Sequence, residues 1–196
     1  MRFLLAMATY ASTVLLCTAV LLCFHLANAA DCAKEDIQLS KEVNDFRASK
    51  GLKRIPISGH LTKVARVHAI SGSGDCGNLH SWVKDSQEPA RWTPCCYTGS
   101  AEQDCMHRKP KEITSGAYDS SGYEISGQGY PKNADVILGW SNSAGHRVVL
   151  LSEGVWGELG VDEALGCSNH NSYFHCWFGQ EKASDDICDE TGGGGG

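Results

Sequence analysis

Residues 39–69 read LSKEVNDFRASKGLKRIPISGHLTKVARVHA, and the spacing of their apolar residues predicts two consecutive amphipathic helices. The first helix is predicted over residues 34–49, because apolar side chains recur there at helical intervals and Gly51 lies just past its end. Ser58 is a typical N-cap for the second helix, whose apolar side extends to Ser71. The sequence therefore predicts a helical pair in this part of the chain.

The remainder of the chain predicts a small antiparallel sheet after an irregular middle. Residues 72–122 hold four cysteines, several prolines and glycines and little periodicity, which is typical of a long, disulfide-tied loop region with short helical pieces. We predict a strand over residues 123–126, helices over 132–140 and 144–152, and strands over 155–163 and 172–179 joined by turn residues 167–171. This order of elements indicates an α+β fold.

The N-terminal residues have the pattern of a signal peptide. Arg2 precedes an almost wholly apolar run, and Ala27-Asn28-Ala29 follows it as a small-x-small cleavage site. We therefore predict a signal peptide over residues 1–29, a folded domain over 30–182 and a flexible tail over 183–196 that ends in five glycines. The alternative is an uncleaved anchor, because the apolar run is close to the roughly twenty residues that a membrane-spanning helix needs.

Composition excludes some partners and indicates a secreted, extracellular protein. The 196-residue chain has a formal charge of −6, which is too acidic for binding nucleic acid by phosphate neutralisation, and it has no basic patch for stable membrane attachment after cleavage. Of its ten cysteines, Cys17 and Cys23 lie in the predicted signal, and the other eight predict up to four disulfides. The sequence does not give their pairing, but we expect Cys167 and Cys176 to bridge the final hairpin.

Standard catalytic motifs are missing from the sequence, and histidine is the remaining candidate for a chemical role. The chain has no Gly-x-Ser-x-Gly, His-Glu-x-x-His or P-loop sequence. His80 precedes Ser81-Trp82, and His146 follows Gly145 at a predicted helix start, where the helix dipole favours a neutral imidazole. The other histidines of the predicted domain are expected to be solvated or packed: His60, His68, His107, His170 and His175.

Several motifs in a fixed order resemble one family. Beside the stretch quoted above, these are CGNLHSW at 76–82, GYEI at 122–125, ILGWSNSAGHRVVLL at 137–151, ELGVD at 158–162 and YFHCWFG at 173–179. Together they resemble the CAP superfamily of cysteine-rich secretory, antigen 5 and pathogenesis-related proteins, also called SCP domains. The middle stretch, with WTPCCY at 92–97 and DCMHRKP at 104–110, resembles a secreted microbial branch of it. The resemblance covers about residues 35–180.

The resemblance implies a three-layer α-β-α sandwich with a central antiparallel sheet and long disulfide-tied loops. It also implies a cleft in which two histidines and two acidic residues converge. His80 and His146 match the histidines, and Glu124 matches the first acid. The second acid is expected three residues after Trp140, where this chain has Ser143. The departure weakens any mechanism that requires two carboxylates.

The matched residues have the composition of a zinc site. Two neutral imidazoles and one carboxylate can hold a divalent metal and leave a position for water or ligand, so His80, His146 and Glu124 are the candidate metal ligands. Glu124 is also the candidate catalytic base. Two alternatives stay open: a hydrogen-bonded cluster that only orders the loops, and a Ser143–His146 nucleophile pair, which lacks an evident third group.

Three functions follow from the resemblance, and we favour the first. It is an extracellular binding module for a lipid, a sterol or another extracellular partner, without enzymatic activity. The second is a metal-dependent hydrolase or protease that uses His80, His146 and Glu124, and the third is a structural or defence protein without a ligand. The local support for a binding module is aromatic content, namely Trp82, Trp92, Trp140, Trp156 and Trp177.

Overall fold

A three-stranded antiparallel sheet forms the middle of the molecule. Its strands are β1 (Gly122–Gln128), β2 (Ala164–His170) and β3 (Tyr173–Gly179), arranged in the order β1-β3-β2. The structure is a computed structural model that describes residues 32, 37–73, 76–99, 102–181 and 186–190. The predicted signal peptide over residues 1–29, the cleavage site and the terminal glycine run lie outside the described residues.

One face of the sheet is apolar and packs against three helices. These are α1 (Gln38–Ser49), α4 (Asn133–Asn142) and α5 (Ala144–Leu150). Side chains alternate between faces along each strand, so every second residue points into this layer. The strand residues in this core are Tyr123, Ile125, Leu165, Cys167, Phe174, Cys176 and Phe178.

The opposite face of the sheet is largely polar or small. It packs against α2 (Gly59–Ser71) and α3 (Gln103–Ile113), with a second core built around Trp82, Trp92 and Trp177. By alternation, this face carries the strand residues Glu124, Ser126, Ala164, Gly166, Ser168, His175 and Trp177. Helices thus cover both faces, and the predicted α-β-α sandwich is confirmed.

The helical pair predicted from residues 39–69 is confirmed, and its start and stop signals act as expected. The Ser58 hydroxyl caps α2 by accepting a hydrogen bond from the backbone N–H of Leu61 at 3.1 Å. Gly51, just after α1, has φ +77°, a left-handed conformation that glycine adopts without strain. Among the residues that the structure describes, no helix has both the length and the apolarity needed to cross a membrane.

Four disulfides tie the domain together, which agrees with the expected number. The expected bridge between Cys167 and Cys176 is confirmed, and these residues face each other across β2 and β3. Cys188, within the predicted tail, is bonded to Cys32. The pairs are Cys32–Cys188, Cys76–Cys96, Cys95–Cys105 and Cys167–Cys176.

Two local predictions are wrong. Residues 155–163 do not form a strand: Val155–Glu158 is a helical turn, α6, and β2 begins only at Ala164. Gly154 and Gly160 flank this turn with positive φ angles, which an extended strand does not allow. Residues 167–170 lie in β2 instead of a turn, and the chain reverses at Asn171-Ser172, whose φ angles of 49° and 65° are typical of a two-residue hairpin loop.

The contact between α2 and β2 predicts the effect of an added methyl group at Gly166. A Cβ atom there would overlap backbone atoms of Leu61 and Thr62, so Gly166→Ala forces the helix away from the sheet. We expect a loss of more than about 2 kcal/mol in the free energy of unfolding, measured by chemical denaturation. The control is Gly145→Ala in α5, where nothing lies within 4 Å, and it should be neutral or stabilise by up to about 1 kcal/mol. Equal stability of the two variants would contradict this packing.

Candidate functional site

The centre of the site is the carboxylate of Glu124 on β1, whose side chain is fully buried. Its Oε1 atom lies 2.5 Å from Nδ1 of His68 and 2.9 Å from Nδ1 of His175. Its Oε2 atom lies 2.9 Å from Nδ1 of His80. Three imidazole rings therefore direct the same nitrogen at one carboxylate.

These neighbours determine the charge of Glu124. Burial alone would raise the pKa of its carboxyl group, but the positive charge of His68 and the interaction with His175, with hydrogen bonds from both, lower that pKa well below its ordinary value. Glu124 is therefore an ionised carboxylate that accepts hydrogen bonds on both oxygens. A carboxylate in this state is acceptor-only.

His68 connects α2 to the loop after it. Its Nε2 atom lies 2.9 Å from the carbonyl oxygen of Ser81, while Nδ1 faces Glu124. Both ring nitrogens face oxygen acceptors, so the ring bridges the Ser81 carbonyl group and the Glu124 carboxylate. The ring is stacked between Trp82, at 3.9 Å between centroids, and His175, at 4.1 Å.

His175 on β3 is the neutral member of the cluster. Burial and the nearby charge of His68 lower the pKa of His175 to about 4, against the opposing effect of Glu124. Its Nδ1 hydrogen points to Glu124, and the Ser126 hydroxyl lies 3.2 Å from the same nitrogen. Its Nε2 atom is buried and has no hydrogen-bond partner within the described part of the chain.

The structure brings the two predicted histidines close to each other at the surface of this cluster. The side chain of His80 is 24% exposed, and its ring centroid lies 6.3 Å from that of His146. His146 is half-buried in the first turn of α5, and burial together with the charge of His80 lowers the pKa of His146. Of these two imidazole rings, only that of His80 has hydrogen-bond partners in the described part of the structure, namely Glu124 and Ser126, both at Nδ1.

Ser143 lies at the N-cap position of α5 without a capping hydrogen bond from its side chain. Among the described residues it makes no hydrogen bond to His146, so the geometry gives no support to a Ser143–His146 nucleophile pair. Ser126 cannot act as a nucleophile of a serine triad either, because it meets His175 on Nδ1, the nitrogen that also faces the acid. The structure thus shows a histidine–carboxylate cluster without an activated hydroxyl.

Three residues of the site are absent from the sequence-based prediction. His68 and His175 were expected to be solvated or packed, yet both are fully buried against Glu124. The sequence gives a weak indication that both are buried. His68 continues the apolar side of α2, and His175 alternates with Trp177 on β3. The third is Tyr97, whose half-buried ring lies 5.8 Å from the ring of His80.

Two sets of side chains have the composition of a metal site. Within the described residues, His68, Glu124 and His175 have ligand atoms that all lie within 4.8 Å of one another, so this buried group could hold a metal ion. Their Nδ1 and carboxylate atoms already bond to one another, which favours a hydrogen-bonded role in the structure as it stands. The second set, His80 and His146, lies nearer the surface.

The tryptophans that supported a ligand site belong mainly to the two cores. Trp82, Trp140 and Trp177 are fully buried and Trp92 is almost so, while Trp156 is half-buried against the first core. They stabilise the layers of the sandwich, and Trp92 also borders a surface groove beside Val67 and Arg91.

The fold and the cluster define a disulfide-tied α-β-α domain, and comparison with known proteins gives its family. The profile of the Cysteine-rich secretory protein family, CAP, matches residues 41–155. The chain belongs to this family. A cysteine-rich secretory protein from Staphylococcus aureus is similar in structure, with 19% identity and a TM-score of 0.49 over 75% of this chain. The match spans 38% of that protein's chain. No curated protein matches.

The pKa of His175 predicts an acid-labile fold. The unfolded chain protonates this histidine near its ordinary pKa of about 6.5, whereas the folded chain does so only near 4, so stability is full above pH 6.5 and falls as the pH drops toward 4. The fall due to this residue is about 3 kcal/mol at most. The stability that Glu124 contributes is present above the ordinary carboxyl pKa and is lost as the pH falls from there toward its depressed folded pKa, so this loss begins at a lower pH than that of His175.

His175→Asn tests this effect, because an asparagine amide can still donate to Glu124 but does not titrate. The free energy of unfolding, measured by urea denaturation between pH 7 and pH 4, should fall less steeply in this variant than in the natural protein. His170→Asn, at the exposed end of β2, is the control and should keep the natural slope. The same slope in all three proteins would contradict the assignment.

Proposed function

We propose that this chain is a secreted extracellular binding module that holds a divalent metal ion, such as zinc, between His80 and His146. The observation that carries the proposal is the 2.9 Å contact from His80 Nδ1 to the buried carboxylate of Glu124. This contact places a hydrogen of His80 on Nδ1, so Nε2 is the nitrogen that can bind a metal ion. A histidine whose second nitrogen donates to a carboxylate is the usual form of a metal ligand.

The donor set fits a zinc ion. His80 is partly exposed, His146 is half-buried with a lowered pKa that favours the neutral ring, and their ring centroids are 6.3 Å apart. Imidazole nitrogen is a preferred zinc ligand. When bound, zinc would supply a Lewis acid for an oxygen atom of a ligand or water. In this arrangement Glu124 orients His80 from behind instead of acting as a third ligand.

Binding is better supported than hydrolysis. A hydrolase or protease of the kind weighed above needs a carboxylate that is free to take a proton from water. Both oxygens of Glu124 accept hydrogen bonds from imidazoles. Ser143, which carries no charge, stands where the second acid is expected. The residues of the cleft therefore favour a site that binds and orients a ligand.

An apolar groove between α1 and α4 supports a lipid or sterol as the second ligand. It has a volume of about 430 Å³, in the range of small-molecule sites, and is lined by Phe46, Ile137 and Leu138 among others. Its two carboxylates already have partners, since Glu42 accepts from Asn133 and Asp45 pairs with Arg54. A ligand with a long apolar part therefore suits this groove better than a cationic one.

The four disulfides support an extracellular location. Disulfides persist in oxidising compartments and are rare in the cytosol, and the chain belongs to a family of cysteine-rich secretory proteins. The predicted signal peptide over residues 1–29 is consistent with this location. We propose a lipid, a sterol or another extracellular molecule as the partner, and neither nucleic acid nor stable membrane insertion.

Zinc titration by calorimetry tests the metal site on the oxidised protein. We expect near-stoichiometric binding that is lost in the double variant His80→Ala, His146→Ala, because both ligands are then gone. His170→Ala, which removes an exposed imidazole remote from the cluster, should bind as the natural protein does. If the double variant keeps its fold and gives the same isotherm as the natural protein, the proposed metal site is wrong.

Uptake of radiolabelled palmitate and cholesterol tests the groove. Leu138 and Val155 are equally exposed, at 57% each, but only Leu138 lines the groove. We expect Leu138→Asp to reduce uptake at least about tenfold, because it places a charge on an apolar wall. Val155→Asp, the matched control, should retain natural uptake. Absence of uptake by the natural protein, or equal uptake by both variants, would reject the lipid ligand.

A further inference from the structure

Tyr97 has a backbone conformation that a tyrosine rarely adopts. Its φ angle is +52°, in the left-handed region where glycine or asparagine is expected at a simple turn. A residue with a large ring costs free energy at such a position, and such residues cluster at functional sites. The ring of Tyr97 therefore needs a structural or functional reason.

The chain is held by contacts on both sides of Tyr97. Cys95 exchanges two backbone hydrogen bonds with Trp82, at 2.8 and 3.2 Å, and also forms a disulfide to the start of α3. On the other side, the backbone N–H and the hydroxyl of Thr98 both donate to the Glu102 carboxylate, at 2.6 and 3.0 Å. These contacts hold the segment in place and prevent Tyr97 from relaxing to an ordinary backbone conformation.

The residue just before Tyr97 is joined to the turn that carries His80. Cys96 forms a disulfide with Cys76, and its carbonyl oxygen accepts a 2.6 Å hydrogen bond from the Asn78 side chain. The side-chain oxygen of Asn78 accepts in turn from the backbone N–H of His80 at 3.0 Å. Tyr97 and His80 are therefore set relative to each other through a short, cross-linked path.

The ring of Tyr97 packs against the imidazole ring of His80. Its plane makes an angle of 64° with the imidazole plane, with 5.8 Å between centroids, which is an edge-to-face contact. Glu124 and Ser126 hold the same imidazole at Nδ1, at 2.9 and 3.2 Å. His80 is thus fixed by hydrogen bonds at one nitrogen and by an aromatic ring against its side.

We infer that Tyr97 is a positioning residue for His80: its ring, and not its hydroxyl, holds the imidazole in the orientation that presents Nε2 to a divalent metal ion. This inference rests on the proposed function. The inference also gives a role to the two disulfides of the adjacent cysteines, because they hold the loop that positions the Tyr97 ring.

Zinc titrations of Tyr97→Phe and Tyr97→Gly test the inference on the oxidised, full chain. Tyr97→Phe keeps the ring and should bind zinc within about twofold of the natural protein. Tyr97→Gly removes the ring while suiting the left-handed backbone, so it should fold but bind zinc at least about tenfold more weakly, a loss typical of residues that orient a metal ligand. Tyr173→Ala on β3, which makes no hydrogen bond or ring contact with His80 in the described part of the structure, is the control and should bind normally.

A second measurement separates this inference from the metal proposal. The ring ¹⁵N shifts of His80, recorded by NMR without metal, report its tautomer. They should be unchanged in Tyr97→Phe and move toward tautomer-averaged values in Tyr97→Gly, because a ring that Tyr97 no longer holds spends less time hydrogen-bonded to Glu124 through Nδ1. If the natural protein does not bind zinc, the metal proposal fails, and the shifts alone decide the positioning role. Natural shifts and zinc affinity in Tyr97→Gly, or an equal loss in Tyr97→Phe, would overturn it.

Discussion

The buried negative charge of Glu124 is the constraint on which the rest of the molecule depends. Removing an ionised carboxylate from water costs several kcal/mol unless donors replace the lost hydration. Here the donors are three imidazoles, from α2, from the turn before Trp82 and from β3. One side chain thereby fixes a helix, a loop and a strand relative to one another. It also accounts for the unequal faces of the sheet, of which one is apolar and the other must stay polar around this charge.

Much of the fold could be predicted because its signals are local. The helical spacing of residues 39–69, the Ser58 cap and the hairpin cysteines each act within a few residues. The errors arise where backbone angles or the surroundings of a segment decide its structure. Residues 155–163 alternate like a strand, but two glycines with positive φ turn them into a helical connection. The polar end of β2 resembles a turn in sequence, because the face that carries Ser168 borders the polar cluster and the next residues lie at the exposed hairpin end.

The site was predictable only in part. Resemblance to a family identified His80, Glu124 and His146, and the structure brings these residues into one region. It could not identify His68 and His175, since a histidine on the inner side of a helix or strand has the same local sequence whether it meets a carboxylate or a solvated edge. Tyr97 was missed for a related reason. Its role follows from a backbone angle and two cross-links, neither of which the order of residues in WTPCCY reveals.

The adjacent cysteines, Cys95 and Cys96, have a consequence for oxidative folding. Their bonds run in different directions, one to Cys105 and the other to Cys76. An exchange of partners would close loops that differ by a single residue, so loop-closure entropy hardly distinguishes the two isomers. Selection of the native isomer therefore falls to the contacts that seat Cys95 beside Trp82. A misoxidised isomer would have the same mass and no free thiol, so neither intact mass nor thiol titration would distinguish it from the native protein.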